Sequence, residues 1–251
     1  MLNLSTLLTA SSRIFVTPAY LIPDVGAMLA KLVPNWQIIL DQLDERERAA
    51  LVTLANQGWY SDHEFTIPQL FSMVNAIEEG LVKDVNEVLC DWYEERLRQI
   101  ELDLSARHPH RARFFRDAFE AHKEEKYTLS VPVFLKQADG IFYELTGHQL
   151  YSRRKDKGIQ KLTASLGSEA VTSGRASVVH VLSQPLPISS SVSERRRAPD
   201  LLNRHAVLHG EDLNYDTRTQ SCRAISLLNC VSWAFCKRPI GAAYTEIIDT
   251  V

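Results

Sequence analysis

Only four cysteines stand in 251 residues, and no two of them form a CxxC pair. Cys90, Cys222, Cys230 and Cys236 lack metal-ligand spacing. A chain of this length buries roughly 70–75% of its unfolded surface and needs no disulfide or metal staple. The four thiols therefore read as small buried hydrophobes in a reducing compartment. Glycine and proline are sparse as well, ten of each, which excludes a turn-rich all-β sandwich. Long apolar runs are absent. The stretch from Met1 to Leu40 is broken by Arg13, Pro18, Pro23, Asp24 and Lys31, and no basic segment precedes it. Neither a membrane span nor a secretory signal is expected, and a cytoplasmic location follows. A net charge of −3 removes any global pull toward nucleic acid or membrane, although it leaves local patches open.

Several common signatures are missing too. The chain has no glycine-rich phosphate loop, no HExxH and no GxSxG, so the functions those motifs mark are not indicated. No cofactor and no metal is expected.

What is present is helical. Hydrophobic residues at 45% and charged residues at 24% suit a globular chain. Leu70, Phe71, Val74 and Ile77 share a helical face between Pro68 and Gly80. A longer helix is expected from Val82 to Leu104, with Val85, Leu89, Trp92, Tyr93, Leu97 and Ile100 on its apolar stripe. Pro109 interrupts, and Phe114, Phe115, Ala118 and Phe119 mark the next helix. Thr128 to Gly147 reads as another, with Pro132 in its first turns and Leu135, Ala138, Phe142 and Leu145 facing inward. A final helix begins after Asn214 to Thr217, capped by Asp216 or Thr217 and buried through Ala224, Leu227, Leu228, Val231 and Phe235. The fold class is all-α, a helical bundle with an N-terminal helical extension over residues 1–105.

Residues 151–200 differ from the rest. They hold ten serines and nine Lys/Arg against four Asp/Glu, a local charge of +5. Val178 to Leu182 reads as one short strand, and Gln184 to Pro199, with Arg195, Arg196 and Arg197, as a mobile loop. These arginines, with Lys136, Arg153 and Arg154, are either solvated surface charge or part of an RNA-holding face.

Histidine clusters at His108/His110 and at His205/His209. The second pair lies in L-N-R-H-A-V-L-H-G, Leu202 to Gly210. On a helix, His205 and His209 share a face. Three readings are open: a metal face with Glu211 or Asp212 as third ligand, structural imidazoles at a helix end, or a proton-transfer site. The last joins Arg204 to His209. Histidine titrates near neutrality and moves protons, while arginine forks onto phosphate oxygens as charge grows on them. The R-x4–6-H spacing alone is uninformative: about two matches arise by chance in a chain of this composition. Three occur, the others being Arg116/His122 and Arg175/His180.

The context singles out one of them. R-x4–6-H with Asn, Asp or His after the arginine resembles the signature of the HEPN superfamily of small helical ribonucleases. The run Ala118 to Ile141, A-F-E-A-H-K-E-E-K-Y-T-L-S-V-P-V-F-L-K-Q-A-D-G-I, is similar to bacterial HEPN proteins of the abortive-infection kind. Those carry an N-Y-x-L-S-I-P run before a helix and end in N-R-H-x-I-L-H-G. The resemblance covers about residues 118–236. It implies a HEPN-like domain over 106–236, with 150–200 a basic insertion and 237–251 a tail.

It further implies a metal-independent endoribonuclease in phage defence or a toxin-like response, leaving 2′,3′-cyclic phosphate ends. By analogy Arg204 and His209 are catalytic and His205 assists. Asn203, Asp139, Arg195, Arg196 and Arg197 would contact RNA, and Glu144 is a further candidate. Positions i and i+5 lie about 140° apart on an ideal helix, and the family dimerises to unite them. The expected partners are therefore RNA, a second copy of the chain and an antitoxin or defence protein. The alternatives are a catalytically silent HEPN-like binding module, or a regulatory protein in which the N-terminal helices recognise a ligand.

Overall fold

The computed structural model describes residues 36–61, 64–151, 175–195 and 200–235. Every element among them is helical: α1 (Trp36–Asn56), α2 (Ile67–Glu78), α3 (Val82–Glu95), α4 (Leu97–Arg107), α5 (Ala112–Lys123), α6 (Tyr127–Thr146), α7 (Arg175–Ser183), α8 (Val192–Arg195), α9 (Arg204–Leu208) and α10 (Arg218–Phe235), with 3-10 turns at Pro109–Arg111 and Pro187–Ser189. None of the described helices is long and apolar enough to cross a membrane.

Local chemistry explains most boundaries. Thr66 and Gln69 form a reciprocal capping box at the start of α2, where Pro68 needs no hydrogen-bond partner. Gly80, at φ +84°, ends it. Gly147, at φ +74°, closes α6 by donating its N–H to the Tyr143 carbonyl at 2.7 Å. Thr217 caps α10, its Oγ1 accepting from the Gln220 N–H at 3.2 Å. Pro132 is the sixth residue of α6 and has no N–H for the Thr128 carbonyl. The Tyr215 hydroxyl donates to that carbonyl instead, at 3.3 Å.

Helix α10 is the axis of the molecule. Residues 220–234 are all buried, against α6 most extensively and also against α3, α4 and α7. Three of its serines meet polar groups of neighbouring segments, while Arg223 Nε is buried without a hydrogen-bond partner among the described residues. Ser226 Oγ accepts from the Tyr60 N–H, Ser232 Oγ lies 3.0 Å from His108 Nε2, and Ser221 Oγ lies 2.8 Å from His122 Nδ1. Burial pushes His108 down to about 4 and lowers His122 as well. One apolar cluster runs from Ala50 to Ala234, so residues on both sides of position 105 share it.

The structure corrects three sequence expectations. The single helix over Val82 to Leu104 is broken at Arg96 (φ −108°, ψ 6°), where its N–H turns to the Tyr93 carbonyl in a 3-10 step. No proline or glycine marks the break. The buried residues Val85, Leu89, Tyr93, Leu97, Ile100 and Leu104 still continue one stripe. Val178 to Leu182 is not a strand but the centre of α7. Its packing against α1 and α10 buries Val178, Val179, Val181 and Leu182 and overrides the β-branched preference. The expected mobile loop is folded over 184–195, into the Pro187–Ser189 turn and α8, where Glu194 accepts from the Ser191 N–H at 2.7 Å. Positions 196–199, the 1–35 segment and the 237–251 tail lie outside the described residues. Cys90, Cys222 and Cys230 are free and buried, as expected of small hydrophobes, and Cys236 lies outside the described residues.

Candidate functional site

The motif occupies α9, a helix of five residues packed against α6 and the Pro187–Ser189 turn. Asn203 starts it. Its Oδ1 accepts from the Ala206 N–H at 3.0 Å, and its Nδ2 donates to the Pro187 carbonyl at 2.9 Å and the Ser190 carbonyl at 3.1 Å. The side chain is buried, and both ends of the amide are committed. Asn203 therefore fastens α9 to the preceding segment. His209 is the C-cap residue, and Gly210, at φ +72°, turns the chain so that the Glu211 N–H reaches the Ala206 carbonyl.

Two groups of side chains result. On the solvent side, the His205 and His209 rings lie 4.3 Å apart at 44°. His205 Nε2 is 3.3 Å from Glu211 Oε1, and the other oxygen of Glu211 accepts from Arg195 at 2.6 Å. The Arg195 guanidinium holds the Glu211 carboxyl below its ordinary range. Both imidazoles are exposed, with 52% of the His205 side chain open to solvent. A proton carrier placed there has access to solvent and to a ligand.

Arg204 occupies the second group. Its guanidinium carbon sits 5.3 Å from the centre of the Tyr151 ring, and its charge acts on the nearby Asp139 carboxyl. Asp139 accepts from the Leu150 N–H at 2.7 Å. Burial raises its carboxyl, opposed first by that N–H and then by Arg204. Arg204 Nε is buried with no hydrogen-bond partner among the described residues. No hydrogen bond, ion pair or ring contact joins Arg204 to His209 within the described chain.

The expected residues thus divide. His205 and Arg195 meet through Glu211 with His209 beside His205, whereas Asp139 of α6 lies near Arg204 without pairing with it. Glu144 lies elsewhere, held by Arg111 at 2.6 Å and His110 at 3.1 Å. Arg196 and Arg197 lie outside the described residues. The competing matches do not form comparable sites. Arg116 pairs with its neighbour Asp117 while His122 is buried on Ser221, and His180 faces Gln184. Tyr151 had no signal in the sequence, because eleven or more residues separate it from Asp139 and from Arg204. A cavity of about 270 Å³ abuts the motif, lined by Asn56, Pro185, Pro187, Ser190, Arg195 and Leu201. Arg195 therefore borders both the cavity and the histidine pair.

Comparison of the chain with known protein families, with curated proteins and with solved structures finds no match.

Proposed function

We propose that this chain is a HEPN-like metal-independent endoribonuclease, acting in the cytoplasm in phage defence or a toxin-like response. The observation that supports this best is the exposed His205/His209 pair on the short helix that Arg204 begins, immediately before the final buried helix. Cleavage proceeds by attack of a ribose 2′-oxygen on its own phosphorus. The P–O5′ bond breaks, leaving a 2′,3′-cyclic phosphate and a 5′-hydroxyl. His209 takes the 2′-hydroxyl proton, and an imidazolium, His205 or a partner's histidine, returns one to the leaving 5′-oxygen. Arg204 stabilises the phosphorane. Because α9 directs Arg204 and His209 apart, a working cleft unites Arg204 of one copy with His209 of another, so the active species is a homodimer. Arg195 at the rim of the cavity supplies charge for the flanking RNA, and an antitoxin or defence partner would restrain the activity.

A second reading has its own support. The Arg204 guanidinium is seated on Tyr151 beside Asp139, and such an arginine also suits a silent HEPN-like module that binds a protein or nucleotide. Induced expression in bacteria separates the two. Wild type, Arg204→Ala and His209→Ala, each shown to fold and associate alike, are compared for growth and total-RNA integrity. Growth arrest with RNA decay in wild type alone is expected. Equal toxicity of all three contradicts the proposed site, and no effect from any favours the binding module.

A further inference from the structure

Helices α3, α5 and α10 bring together Glu94, His122 and Cys222, whose donor atoms lie within 4.8 Å of one another, His122 and Cys222 buried and Glu94 partly exposed. His122 Nε2 is 3.7 Å from Glu94 Oε1. That span is too long for a hydrogen bond. It is close to the roughly 3.5 Å between neighbouring ligands of a tetrahedral metal with bonds near 2.0–2.3 Å. The other ring nitrogen, Nδ1, is 2.8 Å from Ser221 Oγ, which is itself 2.9 Å from Ser130 Oγ. This chain of hydroxyls orients the imidazole and leaves Nε2 aimed at the carboxylate, as the outer shell of a metal site does. Cys90 stands one helical turn before Glu94 but lies outside the group, its Sγ donating to Thr219 Oγ1 at 3.9 Å. Tyr127 packs edge-on to His122, ring centres 5.6 Å apart, and closes the side.

The local charge also favours a cation. Glu87, Asp91 and Glu94 all converge on Arg218, at 2.8, 2.6 and 2.7 Å. Three carboxylates against one guanidinium leave an excess of two negative charges. Glu94 keeps lone pairs free beyond those Arg218 occupies, and Arg218 retains Asp91 and Glu87.

We infer that His122 Nε2, Cys222 Sγ and a Glu94 carboxylate oxygen form a three-residue site for a zinc-class divalent transition metal. The metal fastens α3 and α5 to the buried axis. Cys222 gives up its thiol proton to solvent on binding. The site is independent of the ribonuclease reading and of the His205/His209 pair.

Untagged full-length protein, freed of metal and titrated with Co²⁺, tests this by absorption spectroscopy. The expected result is one equivalent bound, with a thiolate-to-cobalt charge-transfer band that Zn²⁺ displaces. Cys222→Ala loses the band, and Ser221→Ala, a small change outside the ligand set, weakens binding by about 10–100-fold. Cys230→Ser and the His205→Ala/His209→Ala double variant keep it. Absence of a thiolate band in the folded wild type overturns the inference. So does a band that the double histidine variant removes, or full-strength binding by both Cys222→Ala and Ser221→Ala.

Discussion

Asn203 shows how one side chain can fix the position of a site it does not touch. Its amide caps α9 and holds Pro187 and Ser190, so Asn203→Ala removes a cap and two further bonds from a buried position. A loss of about 1–3 kcal/mol is expected in a urea denaturation series. His108 makes a prediction about pH. Burial holds it near 4 in the folded chain, against an ordinary value near 6.5 in the unfolded chain. Between those values the unfolded chain binds the extra proton, so stability falls as pH drops below about 6.5 and levels off below about 4. Urea midpoints taken from pH 7 to pH 4 check this, and His108→Gln is expected to flatten that part of the profile. At this scale the sequence was only half informative. The spacing of Arg204, His205 and His209 was legible and placed the pair. The commitment of Asn203 to packing, the seat of Arg204 on Tyr151 and the meeting of Glu94, His122 and Cys222 were not, since each depends on segments distant in the chain.

Helices were legible where capping chemistry writes their ends into adjacent residues. Thr66, Pro68 and Gly80 bound α2, and Gly147 and Thr217 bound α6 and α10 as their types require. The elements that escaped were those fixed by packing. The break at Arg96 carries no proline or glycine, and α7 carries a β-branched run that burial against α1 and α10 holds helical. Helix α10 also exceeded expectation: a single apolar face was read, yet Ser221, Ser226, Asn229 and Ser232 are buried as well. Pro132 supplies a test for this scale. Tyr215→Phe takes away the donor to the orphaned Thr128 carbonyl and should cost about 1 kcal/mol. Thermal unfolding of the variant beside wild type measures it, and no change would mean that water serves the carbonyl equally well.

Across the whole molecule, one core joins the N-terminal helices to the motif-bearing half. The exposed histidine pair and the seated arginine therefore sit on a firm base, α9 being fastened by Asn203 and backed by α6. Such a base suits a site completed by a second copy, since neither group needs to move far from the position in which packing holds it. Composite clefts make a sharp prediction. If each cleft takes Arg204 from one protomer and His209 from the other, a mixed dimer of Arg204→Ala and His209→Ala keeps one intact cleft. Random pairing of equal amounts should then restore about a quarter of wild-type activity, whereas clefts built within one protomer would restore none.

The most direct measurement is cleavage of single-stranded RNA by purified protein without added divalent cations, with the product ends identified. Wild type is expected to leave 2′,3′-cyclic phosphate and 5′-hydroxyl ends, and His209→Ala and Arg204→Ala each to lose at least about 100-fold in rate. Products with 3′-hydroxyl ends that appear only with magnesium, or cleavage unchanged in both variants, would contradict a ribonuclease site on α9.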